Sequence, residues 1–199
     1  MVGSRMGRPN LSAQRRDELL PAVAATFAEF GYRRTTTALL AERCGVQETI
    51  LYRLWDDKRA MFTASIEYVA EHSRQVWERE LAARTSAKTT AEAVLDHEAT
   101  HLGEFGLYRI LFAGLSETDD PAIVRALQNA YRSFHAFVRD RIAEHRTTRG
   151  ARGAPSPDVA AWAMLGVGTV VNLGRELGLL DAGGRADVLR GAGRRLLDG

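Results

Sequence analysis

Residues 37–55 read TALLAERCGVQETILYRLW, and the spacing of the apolar side chains is that of two short helices joined at a glycine. Leu40 and Cys44 lie four residues apart, which places both on one face of the first helix. Leu51 and Leu54 lie three residues apart on the second helix. Because each helix presents one apolar stripe, the two stripes can close on a single small core.

Small residues specify the turn between these two helices. Gly45 supplies the positive φ that a turn of three or four residues needs, and Val46 then returns to the core. Ala41 fits the point where the helices cross, since a larger side chain would push them apart. The stretch therefore predicts a helix-turn-helix, and an ordinary pair of antiparallel helices is the alternative.

The second helix, predicted over residues 47–54, keeps its polar side chains off the buried stripe and available to a DNA major groove. Gln47 can pair with adenine, and Arg53 can pair with guanine or a phosphate. Glu48 can accept from cytosine N4 or be solvated, and its negative charge near the DNA backbone favours the solvated state. The polar side chains of this helix are Gln47, Glu48, Thr49, Tyr52 and Arg53.

The flanking residues extend the pattern. Apolar residues recur at helical spacing over 19–30, Gly31 is a helix-ending glycine, and Thr35–Thr37 offer capping hydroxyls. The order Phe27-x-x-Phe30-Gly31-Tyr32-x-x-Thr35-Thr36, Leu40-Ala41, Gly45-Val46, Leu51-Tyr52 and Lys58 closely resembles the DNA-binding domain of the TetR family of transcriptional regulators. This resemblance covers about residues 19–62.

The resemblance implies roles for individual residues. Thr37, Tyr52 and Lys58 are expected to hold phosphates, and the start of the second helix is expected to read bases. Gln47 stands where the family usually has serine, Thr49-Ile50 where it has glycine and threonine, and Leu54-Trp55 where it has an aromatic pair. Packing should survive these departures, but they leave the operator sequence open.

Charge is distributed as a DNA-binding head requires. Residues 1–60 carry ten Arg or Lys against seven Asp or Glu, whereas residues 61–144 carry nine against thirteen. Arg5, Arg8, Arg15 and Arg16 predict a basic arm before the first helix. Cys44 is the sole cysteine, which excludes a disulfide framework within one chain. With neither an apolar run of about 18 residues nor a signal peptide, we expect a soluble, cytoplasmic protein.

The chain of 199 residues reads as helices throughout, without a strand pattern. The predicted fold is all-α: an arm and three-helix DNA-binding head over 1–60, and a larger helical body for effector binding and dimerisation over 61–199. Pro21 means that the first helix either starts near Leu20 or is kinked. Later helices are predicted over 58–84, 90–103, 105–115, 120–145, 158–180 and 185–197.

The helix predicted over 158–180 combines apolar residues with glycines. A glycine destabilises a helix by about 1 kcal/mol, so close approach of another helix is the favoured reason for several of them. By the resemblance, the last two helices of each subunit form a four-helix bundle in a homodimer, and a helix buried within its own chain is the alternative. The predicted dimerisation residues are Trp162, Gly166, Val170, Leu173, Gly174 and Leu177.

Aromatic residues concentrate in the middle of the chain. An apolar cavity with a few polar anchors would suit a small apolar or aromatic effector, although aromatics at helical spacing are often core. The resemblance implies such a ligand, no cofactor and no enzymatic activity. The predicted ligand-binding residues are His101, Phe105, Tyr108, Phe112, Tyr131, Phe134, His135 and Trp162.

His97-Glu98-Ala99-Thr100-His101 matches the H-E-x-x-H pattern of zinc peptidases, which places two imidazoles one helical turn apart beside a carboxylate. The metzincin continuation fails, because it needs glycine and histidine where Glu104 and Leu107 stand. A third ligand would have to come from a distant residue such as Glu117 or Glu144. A zinc-dependent peptidase is therefore the less favoured alternative to a regulator.

Overall fold

The fold is all-α, as the sequence predicts. A computed structural model describes residues 11–83, 88–104, 106–151 and 155–199, and none of these residues lies in a strand. No helix within these ranges has the length and apolar character needed to cross a membrane. The helices are α1 (Leu11–Arg34), α2 (Thr37–Cys44), α3 (Glu48–Leu54), α4 (Lys58–Ala82), α5 (Thr90–His101), α6 (Arg109–Leu115), α7 (Pro121–Arg149), α8 (Pro157–Glu176) and α9 (Ala182–Asp198).

Of the two alternatives that Pro21 left for the first helix, the start near Leu20 is wrong. α1 begins at Leu11 rather than near Leu20, and it runs through Pro21 to a break at Gly31, where φ is 74° and ψ is 171°. Pro21 is exposed, so the carbonyl one turn earlier that loses its hydrogen bond can be hydrated. The break lies at the predicted helix-ending glycine because a positive φ suits a residue without Cβ.

The start of α1 at Leu11 also corrects the prediction of a basic arm before the first helix. Arg15 and Arg16 lie within α1 rather than before it. Arg15 pairs with Glu18 at 2.8 Å, and Arg16 donates to the Leu54 carbonyl. The remaining two arginines of the predicted arm, Arg5 and Arg8, lie outside the described residues.

Several predicted helix ends also shift, for local reasons. Gly103 and Gly106 have φ near 70°, so α5 ends at His101 and α6 begins at Arg109. Gly178 has φ 66° and follows the end of α8. Asp181 Oδ1 accepts from the Gly184 amide at 2.7 Å and caps α9, whose first residue, Ala182, lies three residues before the predicted start.

Two compact units make up the chain. The first contains the chain up to Tyr68 together with Arg109–Ala126, and the second contains Val69–Tyr108 and Leu127–Gly199. Helices α4 and α7 each begin in the first unit and end in the second. The functional division at residue 60 remains a prediction.

The first unit has an aromatic core. The Phe27 and Phe62 rings meet edge to face with centroids 5.0 Å apart, and Tyr32 lies 4.8 Å from Phe62. Leu40 and Leu51 are fully buried, so the stripes of α2 and α3 are inward-facing as predicted. Helix α6 packs on α1, which adds a distant part of the chain to this unit.

In the second unit, α9 packs against both α5 and α8. Gly193 allows the close approach of α9 to α5, because a Cβ there would overlap the Leu95 side chain. Arg146 of α7 donates to the carbonyls of Leu196 and Leu197 at 2.9 and 3.0 Å. This arginine satisfies carbonyls that the end of α9 leaves without helical partners.

Candidate nucleic-acid interface

The helix-turn-helix is built by local hydrogen bonds. Thr36 Oγ1 accepts from the Leu39 amide at 3.1 Å and caps α2. Gly45 ends α2 in the left-handed conformation, with φ 64° and ψ 33°. Its amide and that of Val46 then return to the α2 carbonyls of Glu42 and Ala41, each at 3.0 Å. These two hydrogen bonds turn the chain toward the start of α3, as Gly45 predicted.

The opposite faces of α3 differ as expected. Leu51 and Leu54 are buried, while five polar side chains from the N-cap to the last turn are exposed. Their exposure agrees with a DNA-reading role, which itself remains a prediction. The five are Gln47, Glu48, Thr49, Tyr52 and Arg53.

Cys44, at the end of α2, is only half-buried. Burial raises the pKa of its thiol, and the nearby positive charge of Arg15 acts in the opposite direction. The thiol is therefore kept neutral at physiological pH, which does not favour reactivity.

Glu48 makes a contact that the sequence did not predict. Its Oε2 accepts from the Thr37 hydroxyl at 2.6 Å, and the Thr37 oxygen accepts from the Tyr52 hydroxyl at 3.3 Å. Glu48 is exposed, as the solvated alternative requires, but its carboxylate is held by another residue of the site. Two of the predicted phosphate-binding residues are thus linked to a predicted base-reading residue.

Lys58 is held by the backbone. Its Nζ donates to the carbonyls of Tyr32 and Thr35, each at 3.1 Å, and lies 4.4 Å from the centroid of the Tyr32 ring. An ammonium has three N–H donors, so these two hydrogen bonds leave one for a phosphate. The ammonium also joins the start of α4 to the connection between α1 and α2, a role that its sequence position did not reveal.

Several of the predicted effector-binding aromatics contact another ring. In the second unit, Tyr131 meets Phe134 edge to face at 6.4 Å, and Phe134 meets Trp77 at 5.8 Å. His135 stacks on Trp162 at 4.6 Å, and its Nε2 lies 3.0 Å from the Asp158 carbonyl oxygen.

The other predicted ligand-binding residues lie elsewhere. His101 is exposed, and the Tyr108 hydroxyl donates to Glu176. Phe112 belongs to the first unit, where it is half-buried on α6. Phe105 lies outside the described residues.

The H-E-x-x-H residues do not form a peptidase centre. The His97 and His101 rings stack on each other at 4.4 Å, and the Glu98 carboxylate accepts from Trp77 Nε1 at 2.7 Å. Of the distant candidates, Glu117 pairs with Arg33 at 2.8 Å and Glu144 with Arg141 at 3.2 Å. Within the described part of the chain, no group of three His, Cys, Asp or Glu side chains could hold a metal ion.

Helix α8 leaves an apolar stripe uncovered. Its exposed residues alternate by four and three along the helix, the spacing of a coiled-coil seam. The half-exposed Trp162 borders this stripe. We define the α8 stripe as Val159, Ala163, Gly166, Val170, Leu173 and Leu177.

The two predicted interface glycines have different surroundings. A Cβ on Gly166 would meet nothing within 4 Å, whereas a Cβ on Gly174 would lie 2.8 Å from Leu180 Cδ1 of the same chain. Gly174 is buried. A glycine is therefore needed at this position because the segment after α8 folds back and places Leu180 against it.

A helix-turn-helix whose second helix presents an exposed polar face is the arrangement that DNA-binding regulators place in a major groove. The sequence model of the bacterial regulatory proteins of the tetR family matches residues 19–64. Over these residues the chain carries the DNA-binding domain of the TetR family of transcriptional regulators.

Comparisons over longer stretches agree with this assignment. The nucleoid occlusion factor SlmA of Vibrio campbellii is 32% identical over 144 residues, which are 71% of this chain and 63% of that protein, less than two thirds of its length. A TetR-family regulator from Cytophaga hutchinsonii superposes with a TM-score of 0.77 at 18% identity, over 95% of this chain and 96% of that one. The SmeT–triclosan complex gives 0.69 at 21% identity, with 90% of each chain covered. The two structures show a shared fold.

Proposed function

We propose that this regulator binds a palindromic double-stranded DNA operator as a homodimer in the cytoplasm, represses transcription, and is released by a small apolar or aromatic effector. The observation that carries the proposal is the exposed polar face of α3 beside the hydroxyl of Thr37. Gln47, Thr49 and Arg53 read base edges, and Thr37, Tyr52 and Lys58 contact phosphates.

Selection of bound duplexes from a random library tests the DNA-binding part. Wild-type protein should enrich one palindromic motif, and Gln47→Ala should relax the preference at particular bases because an adenine-pairing amide is lost. Tyr52→Phe should enrich the same motif with weaker binding, since only a phosphate contact is removed. The same motif from wild type and Gln47→Ala would contradict base reading by Gln47.

The α8 stripe supports the homodimer. Five of its six residues are Val, Leu or Ala, and the sixth, Gly166, has open space at its Cβ position. A second copy of the same stripe would cover this apolar surface, and helices pack closely over small residues. Two linked DNA-reading heads would double the phosphate contacts and match a palindrome.

An apolar effector is supported by the rings of the second unit, where Phe134 makes edge-to-face contacts with both Trp77 and Tyr131. SmeT, which shares the fold, is a protein whose structure contains triclosan. An effector can weaken operator binding only through its different affinities for the free and DNA-bound conformations. A 100-fold weakening requires nearly 3 kcal/mol of coupling, by about 1.4 kcal/mol per tenfold change.

Phe134→Trp tests the effector site. With triclosan as the probe, the variant should need a different concentration for half-release of DNA, because the edge-to-face contacts with Trp77 and Tyr131 change. DNA affinity without triclosan should stay within about twofold of wild type. Loss of folding and DNA binding together would show that Phe134 serves only as core.

A further inference from the structure

Three side chains on the exposed face of the helix-turn-helix form a hydrogen-bonded chain. The Tyr52 hydroxyl donates to Thr37 Oγ1, and the Thr37 hydroxyl donates to Glu48 Oε2. Thr37 is the first residue of α2, while Glu48 and Tyr52 lie one turn apart on α3. Both hydroxyl protons are therefore committed to a chain that ends on a carboxylate.

This arrangement conflicts with phosphate binding by the same residues. A threonine hydroxyl has one proton, so Thr37 cannot donate to Glu48 and to a phosphate at once. A phosphate close enough to accept that proton would also lie beside the Glu48 carboxylate, and two negative charges at that separation repel. Glu48 must leave Thr37 when DNA binds.

We propose that Glu48 competes with DNA phosphate for the Thr37 hydroxyl, and that the carboxylate released on binding then accepts from a cytosine N4 amino group. This inference rests on the proposed DNA-binding function. On every duplex, the Thr37–Glu48 hydrogen bond is lost. Only where a cytosine amino group is within reach does the carboxylate regain a donor. Glu48 thereby weakens binding to the wrong sequences more than to the operator.

The alternative is that Glu48 has only a structural role and stabilises α3. An acidic residue in the first turn of a helix is favourable, and Glu48 is the acidic residue in the first turn of α3. In that case its charge would repel phosphates whether or not Thr37 carries a hydroxyl. The two accounts therefore differ in the coupling between Glu48 and Thr37.

A double-mutant cycle on a non-cognate 30-base-pair duplex measures this coupling. Wild type, Glu48→Gln, Thr37→Val and the double variant are compared by fluorescence anisotropy at one salt concentration. Glu48→Gln should tighten binding about tenfold in the wild-type background, because a neutral amide oxygen competes for the Thr37 hydroxyl less strongly than a carboxylate does. In the Thr37→Val background the gain should fall to about twofold or threefold, because the hydrogen bond is already absent.

Two control variants test whether the coupling depends on the Thr37 hydroxyl and on the Glu48 carboxylate. Thr37→Ser keeps the hydroxyl and should restore the larger effect of Glu48→Gln, whatever Thr37→Val does to α2. Glu42→Gln, which neutralises an exposed carboxylate on α2, should show the same effect in both Thr37 backgrounds. Equal effects of Glu48→Gln in both backgrounds would overturn the competition.

Duplex selection tests the second half of the proposal. Glu48→Gln should lose a cytosine preference at one position of each half-site and keep the neighbouring positions. An unchanged motif would refute base reading by the released carboxylate. Failure of the wild-type protein to bind any duplex would instead refute the proposed function, so the two failures are distinguishable.

Discussion

Glu98 lies where its negative charge is unfavourable. Burial raises the pKa of its carboxyl, while the hydrogen bond from Trp77 Nε1 at 2.7 Å acts in the opposite direction. Because the folded-state pKa exceeds the unfolded value, the folded protein binds the proton more tightly. Ionisation of Glu98 therefore destabilises the fold as pH rises through the folded-state pKa.

Glu98→Gln should consequently stabilise the protein at pH 7 by about 1 kcal/mol, since the amide oxygen still accepts from Trp77 and carries no charge. The melting temperature should rise by about 2–4 °C. The gain should disappear near pH 4, where glutamates are largely protonated. Calorimetry over this pH range checks it, with the exposed Glu67→Gln on α4 as control. A pH-independent loss of stability would contradict it.

Lys58 combines a structural contact with a proposed phosphate contact. Lys58→Ala should lower the free energy of unfolding by about 1 kcal/mol, because the carbonyls of Tyr32 and Thr35 lose a charged donor. It should also reduce the slope of log affinity against log salt by up to about one unit. Lys88→Ala, in the second unit, should leave that slope unchanged. An unchanged slope for Lys58→Ala would exclude a phosphate contact.

Side-chain exposure on α3 could be predicted from sequence because it depends only on helical periodicity. The partners of Lys58 could not, since its two carbonyls lie 26 and 23 residues away. The Thr37–Glu48 hydrogen bond spans 11 residues and depends on how α2 and α3 cross. Residue type and local spacing identify the candidates for a site, while their pairing is decided by tertiary packing.

The contacts of helix α8 could likewise be predicted only in part from the sequence. The apolar and glycine periodicity of α8 predicted the close approach of another helix, the resemblance made this a helix of a second subunit, and the α8 stripe is exposed within one chain. The reason for Gly174 could not be read from that periodicity, because Leu180 reaches it only after the chain turns at Gly178. Substitution of Gly166 therefore tests the association of two chains, whereas substitution of Gly174 tests the stability of one chain.

Gly166→Leu should convert the homodimer to monomer, because a bulky side chain in the centre of the α8 stripe prevents close helix approach. The Cβ position of Gly166 is open, so the leucine should not clash within one chain. Any fall in the melting temperature of this variant should therefore come only from lost association. Gly174→Leu should instead lower the stability of the chain by about 1–3 kcal/mol through overlap with Leu180. Sedimentation equilibrium and thermal melts distinguish the two. An unchanged association state for Gly166→Leu would argue against this interface.

For the whole molecule, the all-α class and the helix-turn-helix were predictable because both follow from local patterns. The composition of the first unit was not. Residues 109–126 join it through the packing of α6 on α1, and the Arg33–Glu117 ion pair spans 84 residues of sequence. Apolar periodicity shows that a helix has a buried face, but it does not identify the helix that covers that face.

We propose that two copies of this chain read one palindromic duplex through α3. Sedimentation velocity of the protein with its selected duplex, compared with a duplex carrying a single half-site, tests it most directly. We predict one homodimer on the full palindrome and binding at least about tenfold weaker to the half-site, because one set of phosphate and base contacts is lost. Saturation of the half-site duplex by a single protomer, with the affinity seen for the palindrome, would contradict operator reading by a homodimer.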